Sequence, residues 1–208
     1  MKIIVISTEH FCSNETVAVC SLFEAGLQIF HLRKPKSTIE EMRDFIIKIP
    51  VEFHGRVVLH DHFSLIREFE LKGIHINKRN PSVEMQHATF LQHKSKSCHS
   101  LEEIKNISQF DYVFLSPIFD SISKSGYSKA FSHEELLQAK NAGIISEKVI
   151  ALGGIMPENI SKIVNYGFGG IAILGGLWAD FEASGDIQSL LQRFENFVKA
   201  KNISSLHN

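Results

Sequence analysis

Two glycine pairs stand where apolar runs end in the last third of the chain. Residues 149–152 lead into Gly153 and Gly154, and residues 170–174 lead into Gly175 and Gly176. Backbone N–H groups at such turns are not covered by side chains, and they can hold a phosphate where a short helix begins. The alternative is that each pair is only a tight turn. The pairing of the two favours a phosphate site.

Cationic and hydrogen-bonding side chains lie at the ends of the other predicted strands, including a fifth strand that hydropathy alone does not indicate. They are His31, Arg33 and Lys34 at the second strand, His60 and Asp61 at the third, His75 and Asn80 at the fourth, Ser97 and His99 at the fifth, and residues 116–124 after the sixth. Such a set suits phosphate or pyrophosphate, with Mg²⁺ bridging Asp61 and phosphate oxygens. Taken alone, residues 33–36 are typical of a solvated loop, and His75 is typical of a core histidine.

The elements that must position these groups alternate between strand and helix patterns. Strands are predicted at residues 2–7, 28–32, 57–60, 74–76, 94–98 and 112–115, and at the two glycine-ended runs. Helices are predicted at 15–25, 37–48 and 63–71, from Ser100, from Ser132 to 143, at 157–166 and at 186–201. Eight strand-plus-helix units predict an α/β fold, a compact (β/α)₈ TIM barrel forming a single domain over residues 1–208. The alternative, an open doubly wound sheet, usually has a glycine-rich turn after its first strand, where this chain has residues 7–10, Ser-Thr-Glu-His.

Composition limits the class of partner. The formal net charge of −1 gives no reason to expect nucleic acid or an anionic membrane. The three cysteines are widely spaced, which favours reduced thiols and a cytoplasmic protein. The sequence does not indicate an oligomeric state, and a homo-oligomer stays open.

Short segments along nearly the whole chain carry a family resemblance. They are residues 31–33 (HLR), 59–61 (LHD), 73–76 (GIHI), 97–100 (SCHS), 117–119 (PIF), 121–124 (SISK), 151–155 (ALGGI) and 170–173 (GIAI). In their order and spacing they resemble the thiamine phosphate synthase family, which includes thiazole tautomerase relatives.

The resemblance implies a thiamine biosynthesis transferase with two small-molecule substrates. It couples hydroxymethylpyrimidine diphosphate to thiazole phosphate and releases pyrophosphate. By position, Arg33 and Lys124 would contact the pyrophosphate, Ser97 would help hold the pyrimidine, and Mg²⁺ would lie at Asp61 and Asn80. The thiazole phosphate would be held by Ser121 and Ser123 and by the backbone of Gly153, Gly154, Leu174 and Gly175.

The chain departs from that family pattern where the resemblance implies the pyrophosphate and the metal. The family's Gln-x-Arg-x-Lys is here His31 to Pro35, so Lys34 or Lys36 would have to replace the lysine. His60 replaces an asparagine before Asp61, and Asn80 replaces the second metal aspartate; an amide binds Mg²⁺ more weakly than a carboxylate does.

Three functions therefore stay open at this stage. The first is a synthase. The second is a thiazole phosphate tautomerase that uses His31 or His60 as base, since that branch's histidine would fall at Pro117. The third is a non-catalytic binder that has lost the metal and pyrophosphate half of the site. The composition of residues 120–131 also permits a lid over a ligand.

Overall fold

Eight parallel strands close into a barrel in chain order, with the first strand beside the eighth. The computed structural model describes residues 1–80, 93–120 and 130–205. The strands are β1 (Lys2–Ile6), β2 (Ile29–Leu32), β3 (Val57–Leu59), β4 (Gly73–Ile76), β5 (Lys94–Cys98), β6 (Tyr112–Leu115), β7 (Val149–Leu152) and β8 (Gly170–Ile173). The predicted (β/α)₈ barrel is confirmed.

Apolar runs without alternation form the strands because both faces are covered. Every residue of β2, β6 and β8 is buried, as expected for parallel strands that have a packed barrel interior on one side and helices on the other. Inside the barrel, Tyr112 and Phe114 pack against aliphatic side chains from β1, β3 and β7. This packed interior forms the floor beneath the cavity described below.

Helices cover the outside of the barrel. They are α1 (Glu15–Glu24), α2 (Ile39–Ile47), α3 (Val51–His54), α4 (Leu65–Phe69), α5 (His133–Asn141), α6 (Ile160–Asn165), α7 (Gly175–Trp178), α8 (Phe181–Ser184) and α9 (Ile187–Ser205). The predicted caps at Thr38 and Ser132 form complete capping boxes, with Glu41 and Glu135 returning the second hydrogen bond.

The helix predicted from Ser100 does not form. One of the two predicted capping contacts is present, since Ser100 Oγ accepts from the Glu103 amide, whereas the Glu103 carboxylate accepts from the His99 amide and not from Ser100. Residues 101–110 nevertheless continue as turns and bends. The segment buries Ile104 and Phe110 without forming a helix.

Smaller differences lie at helix starts. The helix predicted at 157–166 opens as a 3₁₀ turn, Pro157–Asn159, before α6, and the short helices α3, α7 and α8 were not predicted. No helix among the described residues combines the length and the hydropathy that crossing a membrane would require.

Candidate active site

A cavity of about 370 Å³ opens among the segments that follow the strands. The loops after β1, β2 and β4 line one side of it, through Glu9, Arg33 and Arg79. The glycine pairs after β7 and β8 line the other side. We call these the charged side and the glycine side. The cavity lies at the C-terminal face of the barrel, where barrel enzymes place their chemistry.

The glycine side combines two turns and a short helix. Gly153 and Gly154 have φ of +98° and +62°, values that suit glycine and would strain other residues. Asn159 holds this turn by donating to the Gly154 carbonyl over 2.8 Å. Gly175 and Gly176 open α7, and the Trp178 indole anchors that helix by donating to the Ile6 carbonyl over 2.7 Å.

The β7 glycines have a packing role as well as an exposed backbone. A Cβ at Gly154 would lie 2.4 Å from the Asp120 carbonyl oxygen, and one at Gly153 would lie 2.9 Å from Pro117. The Ile118 and Phe119 amides donate to the Leu152 and Gly153 carbonyls. The glycines therefore fix the start of the segment that runs on into residues 121–129.

Arg33 reaches the cavity from the charged side. Its Nη1 donates to Glu9 Oε1 over 2.8 Å, and its side chain keeps about a quarter of its surface exposed (24%). Its amide is held by Ser7 Oγ at 2.8 Å. The guanidinium is thus oriented by a carboxylate and still accessible to a ligand. Sequence reasoning placed Arg33 correctly at the cavity but did not find Glu9.

The Asp61 carboxylate accepts hydrogen bonds from two side chains. Arg79 Nη2 lies 3.0 Å from Asp61 Oδ2, and Asn80 Nδ2 lies 2.8 Å from Asp61 Oδ1. Asn80 Nδ2 also donates to the His60 carbonyl over 3.0 Å. Arg79, which lines the cavity, was not singled out from the sequence; a basic residue directly after a barrel strand was the available signal.

This arrangement does not fit Mg²⁺. The ion requires oxygen ligands, and both neighbours of Asp61 present nitrogen-bound hydrogens to it. Binding Mg²⁺ would require Arg79 to leave and the Asn80 amide to turn over. The two residues expected to bind the metal, Asp61 and Asn80, therefore do lie together, but they are hydrogen-bonded to each other. The Arg79 guanidinium neutralises the charge of Asp61.

Lys34 points away from the cavity, contrary to its expected contact with substrate. Its Nζ lies 2.6 and 2.7 Å from the two Glu15 carboxylate oxygens, and its side chain is 1% exposed. Thr8 Oγ1 and the His10 carbonyl complete its hydrogen bonds. Consecutive residues at a strand end project to different sides, so Arg33 faces the cavity while Lys34 turns toward α1. Lys34 is therefore not part of the candidate site. Lys36 is exposed and also lies outside the cavity lining.

Histidines form a hydrogen-bonded network on the cavity floor. His31 Nδ1 lies 2.8 Å from His60 Nε2, and His31 Nε2 lies 2.6 Å from the Tyr112 hydroxyl. His75 contacts Ser95 Oγ at 2.9 Å and Ser97 Oγ at 2.8 Å through its two ring nitrogens. The His60 and His75 rings stack with centroids 4.2 Å apart.

Burial keeps these histidines neutral. It lowers the pKa of His31 and of His60 well below the ordinary value, with the neighbouring histidines adding to the effect. Burial lowers the pKa of His75 to about 3, and Arg33 and Arg79 contribute to that shift. The rings therefore act as neutral hydrogen-bonding groups across the physiological range.

His31, His60 and His75 are the group of described residues whose ligand atoms lie close enough for a metal, within 4.8 Å of one another. In the folded chain both ring nitrogens of His31 and of His75 already have hydrogen-bond partners. A metal would have to displace those bonds. The network is better described as the support of His60 and Ser97, which both line the cavity.

The predicted catalytic role of His31 does not match its position. His31 is 0% exposed and lies beneath His60, outside the cavity lining. His60 reaches the cavity lining, and its Nε2 lies 2.8 Å from His31 Nδ1. His31 is thus a positioning residue for His60.

The remaining predicted residues divide into two groups. Leu174 lines the cavity with its neighbouring glycines, and so does His99, which hydrogen-bonds the Ser116 carbonyl at 3.2 Å. Ser121, Ser123 and Lys124 lie outside the described residues, as does most of the segment 120–131 in which the sequence permits a lid. Their predicted contacts stay predictions.

The fold and the cavity together define a (β/α)₈ barrel enzyme whose site suits a small anionic substrate. A family model described as thiamine monophosphate synthase matches residues 3–177, and the chain belongs to that family.

Relatives and solved structures agree with that assignment. A thiamine-phosphate synthase from Dictyoglomus turgidum is 28% identical over 190 residues, covering 86% of this chain and 83% of the relative. The crystal structure of a thiamine phosphate pyrophosphorylase from Bacteroides thetaiotaomicron is 41% identical, covers 98% of both chains and has a TM-score of 0.86. A thiamine phosphate pyrophosphorylase from Pyrococcus furiosus, 18% identical with a TM-score of 0.76, covers 98% of this chain and 96% of its own and shows the shared fold.

Proposed function

We propose that this protein is a thiamine phosphate synthase. The observation that carries the proposal is a cavity with guanidinium groups on one side and a glycine-lined backbone on the other, in a chain of the thiamine monophosphate synthase family. The two sides suit the two phosphorylated substrates that the reaction must hold at once. These two small molecules are the partners we propose, and the predicted cytoplasmic location stays a prediction.

The chemistry requires charge stabilisation and alignment. The bond from the pyrimidine's methylene carbon to the diphosphate oxygen breaks, and its electron pair leaves with pyrophosphate. The thiazole ring nitrogen then gives its lone pair to that carbon, so no proton is gained or lost. Groups that stabilise the departing charge and hold the nucleophile in line supply the rate enhancement.

Each side of the cavity has a task in this scheme. Arg33, oriented by Glu9, stabilises the leaving pyrophosphate, and Lys124 stays a predicted second contact. Gly153, Gly154, Leu174 and Gly175 hold the thiazole phosphate through backbone N–H groups, since the first amides of a helix have no partner within it. Ser97, fixed by His75 at 2.8 Å, and the neutral His60 face the pyrimidine.

A thiazole phosphate tautomerase is the second candidate. The observation that favours it is that His60 lines the cavity and that burial keeps its imidazole neutral, and a neutral imidazole can take a proton from a bound ring. His31, being buried beneath it, would act only through His60. The non-catalytic binder is the third candidate.

One incubation separates the three. Purified full-length protein is given hydroxymethylpyrimidine diphosphate and thiazole phosphate, with and without Mg²⁺, and thiamine phosphate, pyrophosphate and the two thiazole phosphate tautomers are measured. We expect both products in equal amounts. The absence of thiamine phosphate at high protein concentration would contradict the synthase, and interconversion of thiazole phosphate tautomers without coupling would favour the second candidate.

Arg33→Ala tests the site assignment within that assay. Losing a cation from the developing charge should lower kcat/KM about a hundredfold. Arg43→Ala is the matched control, because Arg43 makes a similar ion pair with Glu68, at 2.7 Å, away from the cavity. Cys98→Ser should also be nearly silent, since burial raises the pKa of that thiol to about 11 and keeps it unreactive. If Arg33→Ala behaves like either control, Arg33 does not contact the leaving group.

A further inference from the structure

We propose that the Arg79 guanidinium, held on Asp61, replaces a divalent metal at the pyrophosphate half of the cavity, so that this protein binds pyrophosphate without Mg²⁺. The inference rests on the proposed function for the identity of the anion. It goes beyond that function by naming Arg79 as the group that binds the anion and by removing the metal requirement.

Charge is the first argument. Two carboxylates with one divalent cation sum to zero, and so do one carboxylate and one guanidinium. This chain has Asp61 with Asn80 where the resemblance implies two aspartates, and Arg79 is paired with Asp61 at the same place. One carboxylate and one guanidinium leave the cluster balanced without a metal.

Hydrogen-bond direction is the second argument. Arg79 Nη2 lies 3.0 and 3.4 Å from the two Asp61 oxygens, and the Asn80 amide nitrogen donates to Asp61 and to the His60 carbonyl. Turning the amide over would bring its oxygen against two other oxygens. The amide nitrogen is thus held inward by two acceptors, which disfavours the orientation that a metal would need.

Position is the third argument. Arg79 lines the same cavity as Arg33, and its side chain is 41% exposed, so its guanidinium has donors to spare for a ligand. A planar guanidinium can bind two phosphate oxygens at once and is weakly hydrated, which suits it to phosphate recognition. Asp61 fixes the direction of Arg79 as Glu9 fixes that of Arg33.

The test is calorimetric titration of the full-length protein with inorganic pyrophosphate, in EDTA and then with excess Mg²⁺. We expect saturable binding in EDTA, with affinity within about threefold of that in Mg²⁺. Arg79→Gln should weaken binding in EDTA about tenfold or more, the loss typical of a hydrogen bond to a charged group. Arg43→Gln, which removes an equivalent exposed ion pair, should leave the affinity unchanged.

A second variant tests the exchange in the opposite direction. Arg79→Gln combined with Asn80→Asp removes the guanidinium and restores the second carboxylate. We expect this protein to bind pyrophosphate poorly in EDTA and to recover at least tenfold in affinity on addition of Mg²⁺. A circular dichroism spectrum matching that of the wild type would show that the variant is folded.

Two results would overturn the inference. One is pyrophosphate binding by the wild type that disappears in EDTA and returns with Mg²⁺. The other is an Arg79→Gln affinity equal to that of the Arg43→Gln control. Failure of the proposed function looks different: pyrophosphate would still bind in EDTA through Arg79, but the two synthase substrates would yield no thiamine phosphate.

Discussion

The two sides of the cavity are built from different parts of the chain. The glycine side consists of backbone, shaped by the positive φ of Gly153 and Gly154 and by the first turn of α7. The charged side consists of long side chains, each already paired: Arg33 with Glu9, and Arg79 with Asp61. A ligand finds the first side exposed and must compete with internal partners on the second.

This difference affects how well each side of the cavity tolerates amino-acid substitutions. A backbone site depends on the conformation of a few neighbouring residues, and it tolerates many substitutions around it. A side-chain site depends on charge balance, so one substitution calls for another. The charged side is where this chain departs from its family's pattern, at His31, Pro35, His60 and Asn80, and it is where the unexpected cation Arg79 lies.

The largest expected effect tests the buried ion pair beneath the charged side. Lys34→Ala leaves the Glu15 carboxylate buried without its cation, and this should lower the free energy of unfolding by about 3 to 5 kcal/mol. Urea denaturation measures the change. Lys36→Ala, at an exposed lysine two residues on, should be silent.

A double variant separates lost charge from lost packing in that pair. Lys34→Met with Glu15→Leu removes both charges and should recover most of the stability lost in Lys34→Ala. A double variant as unstable as Lys34→Ala would show that packing, not the unpaired carboxylate, causes the loss.

Gly154→Ala tests the glycine side. The new Cβ would combine a left-handed backbone, φ +62°, with a 2.4 Å approach to the Asp120 carbonyl oxygen. We expect a loss of about 2 to 3 kcal/mol in the free energy of unfolding, together with reduced synthase activity. Gly55→Ala is the control, because Gly55 has a φ of −64° and open space around it; it should be neutral or slightly stabilising. Equal effects at the two glycines would contradict the backbone account.

A pH titration of stability tests the histidine floor between the two sides. The pKa of His75 falls from 6.5 to about 3 on folding. Its contribution is therefore complete above 6.5 and is lost as the pH falls below that value, because the unfolded chain binds the proton and the folded chain does not. Each such histidine adds about 1.4 kcal/mol per pH unit to the slope of the unfolding free energy.

His75→Phe should lower the pH dependence of the unfolding free energy by the contribution of one histidine, while an aromatic ring still packs against His60. The measurement is urea denaturation between pH 7 and pH 5. A slope unchanged in His75→Phe would mean that His75 is protonated in the folded protein.

The smallest expected effect concerns Glu9. Glu9→Gln removes the negative charge that competes with a bound anion for Arg33. Pyrophosphate affinity should rise about two- to fivefold, in keeping with the modest energy of an exposed ion pair. Weaker binding would show that losing the orienting contact of Glu9 costs more affinity than removing its competing charge gains, and the charged side would then depend on its internal pairs more than on its net charge.

The barrel could be predicted because the sequence signals for its strands and helices are distributed over the whole chain. Most strands are apolar runs and two helices begin at capping boxes, at Thr38 and Ser132, so a single error does not change the topology. The absent helix after Ser100 shows the limit of local signals, since the Ser100–Glu103 capping contact formed there without a helix following.

The site was predicted in part, and the division follows whether a side chain's direction is set by its strand end or by a partner distant in sequence. The glycines, Arg33, His60 and Ser97 lie at the cavity because strand ends meet at one face of any barrel. Lys34 could not be placed, because the direction of its ammonium is set by Glu15, which is distant in sequence. Nor does the sequence reveal the ion pair between Arg79 and Asp61, since that contact depends on the conformation of the loop after β4.

The sequence by itself determined the eight-strand alternation, the family resemblance and the exposed backbone after β7 and β8. These features depend on local periodicity and on glycine, whose effects act within a few residues. Only the tertiary structure decided which charged side chains form ion pairs with each other, that three histidines share one neutral network, and that a guanidinium lies where a metal was expected. Those outcomes depend on distances between residues far apart in the chain, and in a closed barrel such distances are set by the register of all its strands together.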